Sequence, residues 1–347
     1  MNEFVKEFNK ITEKVPISCR VRVTHKDKVL CEFEKGYSDC EKKIPFNNDS
    51  VFTFYSLSKP FCAIGLMKLY DKGLVDLESH PGKYLPEAKD FDSRVKIKHL
   101  LHHVSGLPDF EQNRDFATKY ANPKHEDLRL HTKLLTEYPM NFVPNEGEMY
   151  ANVNYVLLAL IIENVSKKPY AEYMKKEIFS PLGMDGAFVD QKGINIANRV
   201  KGHVYENGAF KSVEKSYDWM LGAGDIVGTI DDLYCLNKAI KNRMLLKSET
   251  WDKILTPHPL NKMGKGCFVL DYQGKTLIRH NGGHKGFRVL HAQILEDDVD
   301  VIVMINCEYD ARITLMLSAL ECFYKNVSVI DKKVYDMDTG YISNGNN

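Results

Sequence analysis

Strand-like segments stand near both ends of this chain, and a mainly helical stretch separates them. Near the start, ISCRVRVTH and KVLCEFEKG flank the turn-forming Lys26-Asp27-Lys28, which is the pattern of an antiparallel hairpin. Towards the end, the runs CFVLDYQ, KTLIRHN, RVLHAQIL and VDVIVMIN follow one another and favour further strands. This order of elements indicates a discontinuous sheet domain that carries a helical insertion.

The predicted fold class is α/β (α+β), with an antiparallel sheet flanked by an N-terminal and a C-terminal helix. The first helix is the amphipathic MNEFVKEFNKITEK, and the last is ARITLMLSALECFYK. We expect residues 1–75 and 216–326 to form the sheet domain, residues 76–215 the mainly helical insertion, and residues 327–347 a polar C-terminal tail. Clefts form where two such parts meet, so a binding site is expected between them.

The composition of the chain argues against some classes of binding partner. Acidic and basic residues balance at 47 each, so no excess charge is present to attract nucleic acid or anionic lipid. The apolar run VLLALII at 156–162 is too short to span a membrane, and the N-terminus lacks the apolar core of a signal peptide. Eight cysteines scattered singly indicate reduced thiols. We therefore expect a cytoplasmic protein that has no membrane span and does not bind nucleic acid.

The first candidate site is the sequence Ser56-Leu57-Ser58-Lys59, at a junction between a strand and a helix. The i, i+3 spacing at a helix start places the serine hydroxyl and the lysine ammonium on one face. A desolvated lysine loses preference for its charged form and can accept the serine proton at neutral pH. A helix N-cap is the alternative interpretation of Ser56. A second copy of the spacing, Ser212 to Lys215, lies in a polar stretch and is interpreted as surface.

The second candidate site is Tyr150-Ala151-Asn152, which follows the loop FVPNEGEM and precedes a strongly apolar helix. A tyrosine can relay a proton between serine, lysine and leaving group. An asparagine amide can orient the lysine and hydrogen-bond a substrate amide. The alternative interpretation is a helix-capping Asn152 beside a packed Tyr150.

The third candidate site is His280-Asn281-Gly282-Gly283, at the end of a strand-like run. Glycine lets a strand approach a ligand closely and present its N–H groups, as an oxyanion hole requires. His284-Lys285-Gly286 offers an alternative register, and a glycine turn between strands is the structural alternative.

The sequence lacks the motifs of several other catalytic and nucleotide-binding sites. No H-E-x-x-H, G-x-S-x-G, Walker loop or G-x-G-x-x-G occurs, and His280 and His284 are expected in a glycine-rich loop rather than on a metal-binding helix. We therefore expect neither a metal nor a cofactor. His102 and His103 are interpreted as structural, with one ring packed and the other exposed.

Taken in order, the three motifs resemble those of class C β-lactamases, D-stereospecific carboxypeptidases and aminopeptidases, and related esterases. The resemblance covers about residues 1 to 326 and includes four further blocks. These are LLHHVSGLPD at 100–109 (LLxHxSGLPD in the family), PLGM at 181–184, GAG at 222–224 with Thr229 and Asp231-Asp232 (GAGG…STxxDL), and 280–287 (HxGGxPGF). The resemblance implies a β-lactamase/transpeptidase-like fold.

The resemblance also implies a role for each candidate residue. Ser56 is expected to be the acylated nucleophile, and Lys59 and Tyr150 to form the proton-transfer pair. Asn152 is expected to contact the lysine and the substrate. The main-chain N–H groups of Ser56 and Gly283 are expected to form the oxyanion hole.

Two positions depart from the family pattern, and a third distinguishes between members of the family. Asp225 replaces the second glycine of GAGG, and Lys285 replaces the proline of GGxPG, so the rim of the pocket is expected to differ. His280 stands where β-lactamases have lysine. Histidine there resembles the esterases and peptidases of the family and weakens the case for an enzyme that anchors a carboxylate.

The predicted function is a serine hydrolase that forms a Ser56 acyl-enzyme from an ester or a small amide or peptide, including D-amino-acid amides. A true β-lactamase or a D-alanyl-D-alanine carboxypeptidase is the alternative within the same chemistry. A catalytically silent relative that binds peptides or scaffolds a partner is the alternative of another class. The presence of Ser56, Lys59 and Tyr150 together argues against the silent relative.

Overall fold

The computed structural model describes residues 2–110, 115, 118, 127–191, 193–213 and 220–324 of the chain. The strands are β1 Cys19–His25, β2 Lys28–Lys35, β3 Phe52–Thr53, β4 Phe188–Val189, β5 Gly202–Glu206, β6 Ala209–Val213, β7 Ile226–Gly228, β8 Phe268–Tyr272, β9 Lys275–His284, β10 Phe287–Ile294 and β11 Val299–Ile305. The main sheet is antiparallel, with six strands of the described residues in the order β2-β1-β11-β10-β9-β8.

Helices surround this sheet and fill the middle of the chain. They are α1 Glu3–Thr12, α2 Lys59–Asp71, α3 Ile97–Leu101, α4 Asp127–Leu134, α5 Asn152–Ser166, α6 Tyr170–Met174, α7 Ser180–Leu182, α8 Ile230–Lys241, α9 Ser248–Leu255 and α10 Arg312–Tyr324. Short 3₁₀ turns occur at Tyr55–Ser58, Pro81–Lys83, Pro86–Ala88 and Leu135–Glu137, and a π-helical turn at Lys175–Phe179. None of the helices in the described residues has the length and apolar character that crossing a bilayer requires.

The central strand β11 shows why helices cover both faces of the sheet. Every residue of β11 is buried, and its side chains alternate between two apolar clusters. Val301 and Val303 pack with α1 and α10, whereas Ile302 and Met304 belong to the cluster that contains α2, α5 and α8. A strand buried on both faces needs an almost continuous apolar sequence, which VDVIVMI provides. The predicted fold class, with terminal helices against an antiparallel sheet, is confirmed.

Two smaller sheets lie outside the main one. The first, in the order β3-β7-β4, joins the strand that leads to Ser56 with residues 188–189 and 226–228. The second is the hairpin of β5 and β6. Strands β4 to β6 lie within residues 76–215, which the sequence predicted to be mainly helical, so this range is more mixed than expected. The division into a sheet domain and an insertion stays a prediction.

Two further predictions are answered by this architecture. The hairpin around Lys26 to Lys28 is confirmed as β1 and β2. The glycine-rich loop expected around His280 and His284 is wrong, because β9 continues to His284 and pairs with β10 through both glycines. The predicted polar tail, residues 327–347, lies outside the described residues.

Candidate active site

Ser56 lies in the 3₁₀ turn Tyr55–Ser58, here called the Ser56 turn, between β3 and the start of α2. Its neighbour Tyr55 has a φ of +50°, a left-handed conformation that costs a non-glycine residue about 1–2 kcal/mol. The buried Tyr55 ring packs against His284 and Phe287, with ring centroids 5.7 and 5.8 Å away. This packing holds the strained residue, which directly precedes Ser56, in place.

Lys59 brings its amine to Ser56 from the first turn of α2. The Lys59 Nζ lies 3.0 Å from the Ser56 Oγ. The same nitrogen donates to the Asn152 Oδ1 at 2.7 Å and to the Ala223 carbonyl oxygen at 2.9 Å. The lysine side chain is fully buried, with 0% of its surface exposed. The residues that the sequence predicted to act together are therefore in direct contact.

The geometry around the Lys59 amine suits a proton acceptor. The amine donates to the Asn152 amide oxygen and to the Ala223 carbonyl oxygen, and it also contacts the Ser56 hydroxyl. A neutral amine can keep two N–H bonds on Asn152 and Ala223, and its lone pair then faces the Ser56 hydroxyl. Both of these acceptors are uncharged, so neither contact requires a charged amine.

Tyr150 reaches the same amine with its ring. The Lys59 Nζ lies 4.7 Å from the centroid of the Tyr150 ring. This ring also stacks on His103, with centroids 4.3 Å apart and an interplanar angle of 21°. The structure therefore places Tyr150 beside Lys59 and packs it into position.

His103 is a component of the site that sequence reasoning did not identify. It has a φ of +58°, it is 1% exposed, and its Nδ1 accepts a hydrogen bond from the Ala151 N–H at 3.0 Å. Burial holds the pKa of His103 well below its usual value, and the nearby charge of Lys59 adds to this effect. A neutral His103 thus joins the ring of Tyr150 to the backbone that carries Asn152.

The prediction that one ring of the His102-His103 pair is exposed is wrong. His102 is only 8% exposed. Its Nδ1 donates to the Met263 carbonyl oxygen at 2.9 Å, and its Nε2 accepts from the Lys265 Nζ at 3.0 Å. Residues that follow α9 therefore cover this histidine, and the sequence does not show that contact.

Asn152 is the first residue of α5, and its side chain points into the site rather than capping the helix. The N-cap is Ala151, and no side chain caps it. Asn152 is 1% exposed, and its Oδ1 accepts from Lys59. Its Nδ2 is buried, and the described residues offer it no hydrogen-bond partner. The alternative interpretation as a helix-capping residue is therefore wrong.

Gly282 lies where β9 crosses the Ser56 turn. A Cβ atom at this position would overlap the carbonyl oxygen of Phe54 and would lie 2.9 Å from the Leu57 nitrogen. Only glycine fits such a close approach. Gly283 is the next residue of β9 after this point of contact. Lys285 and Gly286, part of the alternative register, form the turn between β9 and β10.

His280 is buried on β9, with 1% of its surface exposed, opposite His291 of β10. Its Nδ1 lies 2.7 Å from the Asn281 carbonyl oxygen. Because a carbonyl only accepts, Nδ1 carries the proton and Nε2 is an acceptor in the neutral ring. Burial lowers the pKa of His280 to about 3, with a further contribution from the charge of Lys59. The ring is therefore neutral at physiological pH.

Asp225, the residue that replaces a family glycine, supports the turn behind Lys59. Its Oδ2 accepts from the Gly222 N–H at 2.9 Å, and it is almost fully buried. Ala223, the residue after Gly222, supplies the carbonyl oxygen that accepts a hydrogen bond from Lys59. Burial raises the pKa of Asp225 to about 7. Within the described residues, no group of three or more His, Cys, Asp or Glu side chains is placed to hold a metal ion.

Comparisons with known proteins agree with this fold. The β-lactamase family model matches residues 11–320. Penicillin-binding protein 4* of Bacillus subtilis is 30% identical over 329 residues, which cover 88% of this chain and 71% of that protein.

Two solved structures share the fold. D-amino acid amidase from Ochrobactrum anthropi SV3, complexed with D-phenylalanine, superposes with a TM-score of 0.79 at 21% identity, over 93% of this chain and 98% of that one. EstCE1, a hydrolase with promiscuous acyltransferase activity, has a TM-score of 0.79 at 16% identity, with the same two coverages. The chain therefore belongs to the β-lactamase family and is a serine hydrolase with a β-lactamase/transpeptidase-like fold.

Proposed function

We propose that this enzyme transfers the acyl group of an ester or a small amide to Ser56 and then hydrolyses the acyl-enzyme. The observation that carries the proposal is the 3.0 Å contact between the Ser56 hydroxyl and a fully buried Lys59 amine. As the bond from Oγ to the substrate carbonyl carbon forms, the hydroxyl proton passes to Nζ. Collapse of the tetrahedral intermediate then breaks the bond to the leaving alcohol or amine.

Tyr150 is proposed to return a proton to the leaving group, since its ring lies against the Lys59 amine. The same pair then activates the water that releases the acid product. The N–H groups of Ser56 and Gly283 are proposed to bind the oxyanion, because Gly282 brings β9 against the Ser56 turn. Asn152 is proposed to hold the lysine through Oδ1 and to donate to the substrate through its buried Nδ2.

The neutral ring of His280 favours one class of substrate over another. A neutral imidazole provides no positive charge for a carboxylate, and its Nε2 acts as an acceptor. A substrate with an uncharged ester or amide fits this position better than one that is held by a carboxylate. The likeness to a structure of D-amino acid amidase with D-phenylalanine supports an amide of a D-amino acid as one candidate.

A second candidate is acylation by penicillins or by a peptide that ends in D-alanine. The 30% identity to penicillin-binding protein 4* supports it. The neutral His280 argues against it as the main activity. The catalytically silent alternative is disfavoured because Ser56, Lys59 and Asn152 form one connected set of hydrogen bonds.

The test is an activity panel for the wild type and Ser56→Ala. The panel contains p-nitrophenyl esters, D-amino-acid amides and a chromogenic cephalosporin. We expect turnover of at least one ester or amide, slower reaction of the cephalosporin, and background rates for Ser56→Ala. Background rates in both proteins on every substrate would contradict the proposal and favour a binding role.

A further inference from the structure

An arginine stands behind the strand that carries Gly282 and Gly283. Arg312, the first residue of α10, donates through Nη1 to the carbonyl oxygen of Gly282 at 2.7 Å. Its Nε and Nη2 donate to the two carboxylate oxygens of Asp310 at 2.9 and 2.6 Å. Only 13% of the Arg312 side chain is exposed. This two-point contact fixes the plane of the guanidinium, so Nη1 is held on the Gly282 carbonyl.

The Gly282 carbonyl and the Gly283 N–H belong to one peptide group. The described residues contain no cis peptide bond, so this carbonyl and this N–H point in opposite directions. Arg312 lies on the carbonyl side, and the N–H therefore faces away from it. On the same stretch of β9, Gly282 packs closely against Phe54 and Leu57, the two residues that flank Tyr55 and Ser56.

A cation on a peptide oxygen strengthens the N–H of the same peptide as a donor, because linked hydrogen bonds polarise one another. A donor that is already fixed also needs no reorganisation when negative charge develops. We propose that Arg312 is a positioning residue for the oxyanion hole, where its guanidinium fixes and polarises the Gly282–Gly283 peptide. This inference rests on the proposed function, in which the Gly283 N–H binds the oxyanion formed at Ser56.

Arg288 offers a matched comparison. Its Nε lies 3.6 Å from the same Asp310 carboxylate. Its Nη1, however, donates to the carbonyl oxygens of His284 and Phe287, at 2.7 and 2.6 Å. Replacing Arg288 with methionine removes a similar charge from the same carboxylate and no hydrogen bond to the Gly282 carbonyl. Methionine also keeps an unbranched side chain beside Gly283, where the Arg288 Cδ lies.

The experiment compares Arg312→Met and Arg288→Met with the wild type. The measurements are kcat and KM on a p-nitrophenyl ester, the inhibition constant of phenylboronic acid, and fluorophosphonate labelling of Ser56. Loss of a whole oxyanion donor costs about 10²–10³ in rate, so weakening one should lower kcat about tenfold. Phenylboronic acid forms a tetrahedral adduct with serine and should also bind about tenfold less tightly. KM, and every value for Arg288→Met, should change by less than about twofold.

Several outcomes would overturn the inference. If kcat is equal in the two variants, or if the loss in Arg312→Met is confined to KM, Arg312 does not position the oxyanion hole. If the fluorophosphonate still labels Ser56 of the wild type, only the inference about Arg312 fails and the proposed function is retained. If it does not label Ser56, the inference and the proposed function both fail. If Arg312→Met fails to fold, Arg312→Lys replaces it, since lysine keeps the charge but lacks the second donor for Asp310. An unchanged kcat in Arg312→Lys would then contradict the inference.

Discussion

The Lys59 amine lies 3.0 Å from the Ser56 hydroxyl oxygen and shares its buried position with two uncharged acceptors. In the proposed mechanism, this relationship allows Lys59 to act as the base without a histidine. The remaining components of the site either hold the amine, as Asn152 and Ala223 do, or bring the strand with Gly283 to the turn. Each of these contacts can be tested separately.

Replacing Lys59 by methionine should abolish most of the activity. The change removes the proposed general base but keeps an unbranched side chain of similar length, so we expect kcat/KM on a p-nitrophenyl ester to fall by about 10²–10⁴. Lys265→Met is the control, because Lys265 is also buried but donates to His102 and to the Lys253 carbonyl. A loss of the same size in both variants would show that Lys59 matters for folding rather than for chemistry.

Gly282→Ala should damage the site and the fold together. The new Cβ would overlap the Phe54 carbonyl oxygen, so β9 must move away from the Ser56 turn. We expect about 1–3 kcal/mol of destabilisation, measured by urea unfolding, and a large loss of kcat. Gly274→Ala, in the β8–β9 turn with φ +78° and open space around it, should cost about 1–2 kcal/mol and keep kcat. Normal activity in Gly282→Ala would be incompatible with the proposed close contact.

Asp225 should make stability depend on pH in an unusual direction. Burial raises the pKa of Asp225 from 3.8 to about 7 in the folded protein. Between these values the folded protein binds more protons than the unfolded chain, so the contribution of this group to stability falls as pH rises. Asp225→Asn does not titrate. Its unfolding free energy, relative to the wild type, should therefore increase from pH 4 to pH 8.

Urea unfolding of both proteins at several pH values measures this difference. Asp300→Asn should show the same direction, because burial also raises the pKa of Asp300 to about 7. A constant difference between wild type and Asp225→Asn over the whole pH range would contradict the assignment.

His103→Phe should remove the hydrogen bond of His103 to the backbone while keeping its ring stacked on Tyr150. The ring can still stack, but the Ala151 N–H loses its acceptor, and a buried unpaired donor costs about 1–3 kcal/mol. His99→Phe is the matched control. His99 lies in α3, and its Nδ1 also accepts a hydrogen bond from a backbone N–H, that of Lys96. Thermal unfolding should show similar losses, whereas ester turnover should fall only in His103→Phe. Equal turnover in the two variants would argue against a role for His103 in placing Tyr150.

The local parts of this structure follow from the sequence. Lys26 and Asp27 form the predicted hairpin turn with φ of +49° and +61°, and the apolar strands on either side pair as expected. Ser56 and Lys59 meet because i, i+3 neighbours at a helix start share a face. Such contacts depend on residues close together in the chain, and side-chain pattern alone predicts them.

The remaining parts depend on tertiary contacts. Lys59 donates to the backbone carbonyl of Ala223, and every residue has such a carbonyl. The sequence therefore does not predict this hydrogen bond. The continuation of β9 through Gly282 was missed because glycine usually ends a strand, whereas here it permits contact with Phe54. The β5–β6 hairpin did carry a signal, the turn residues Asn207 and Gly208. Its strands lack a clear alternation, because β5 buries three consecutive residues and β6 buries none.

Covalent labelling can identify the nucleophile of this enzyme. Folded wild-type protein and Ser56→Ala are treated with a fluorophosphonate and with a fluorescent penicillin, and the modified peptide is identified by mass spectrometry. We expect one adduct on the Ser56 peptide of the wild type with at least the fluorophosphonate, and no adduct in Ser56→Ala. Absence of any adduct on folded wild type, or an adduct that persists in Ser56→Ala, would contradict Ser56 as the nucleophile.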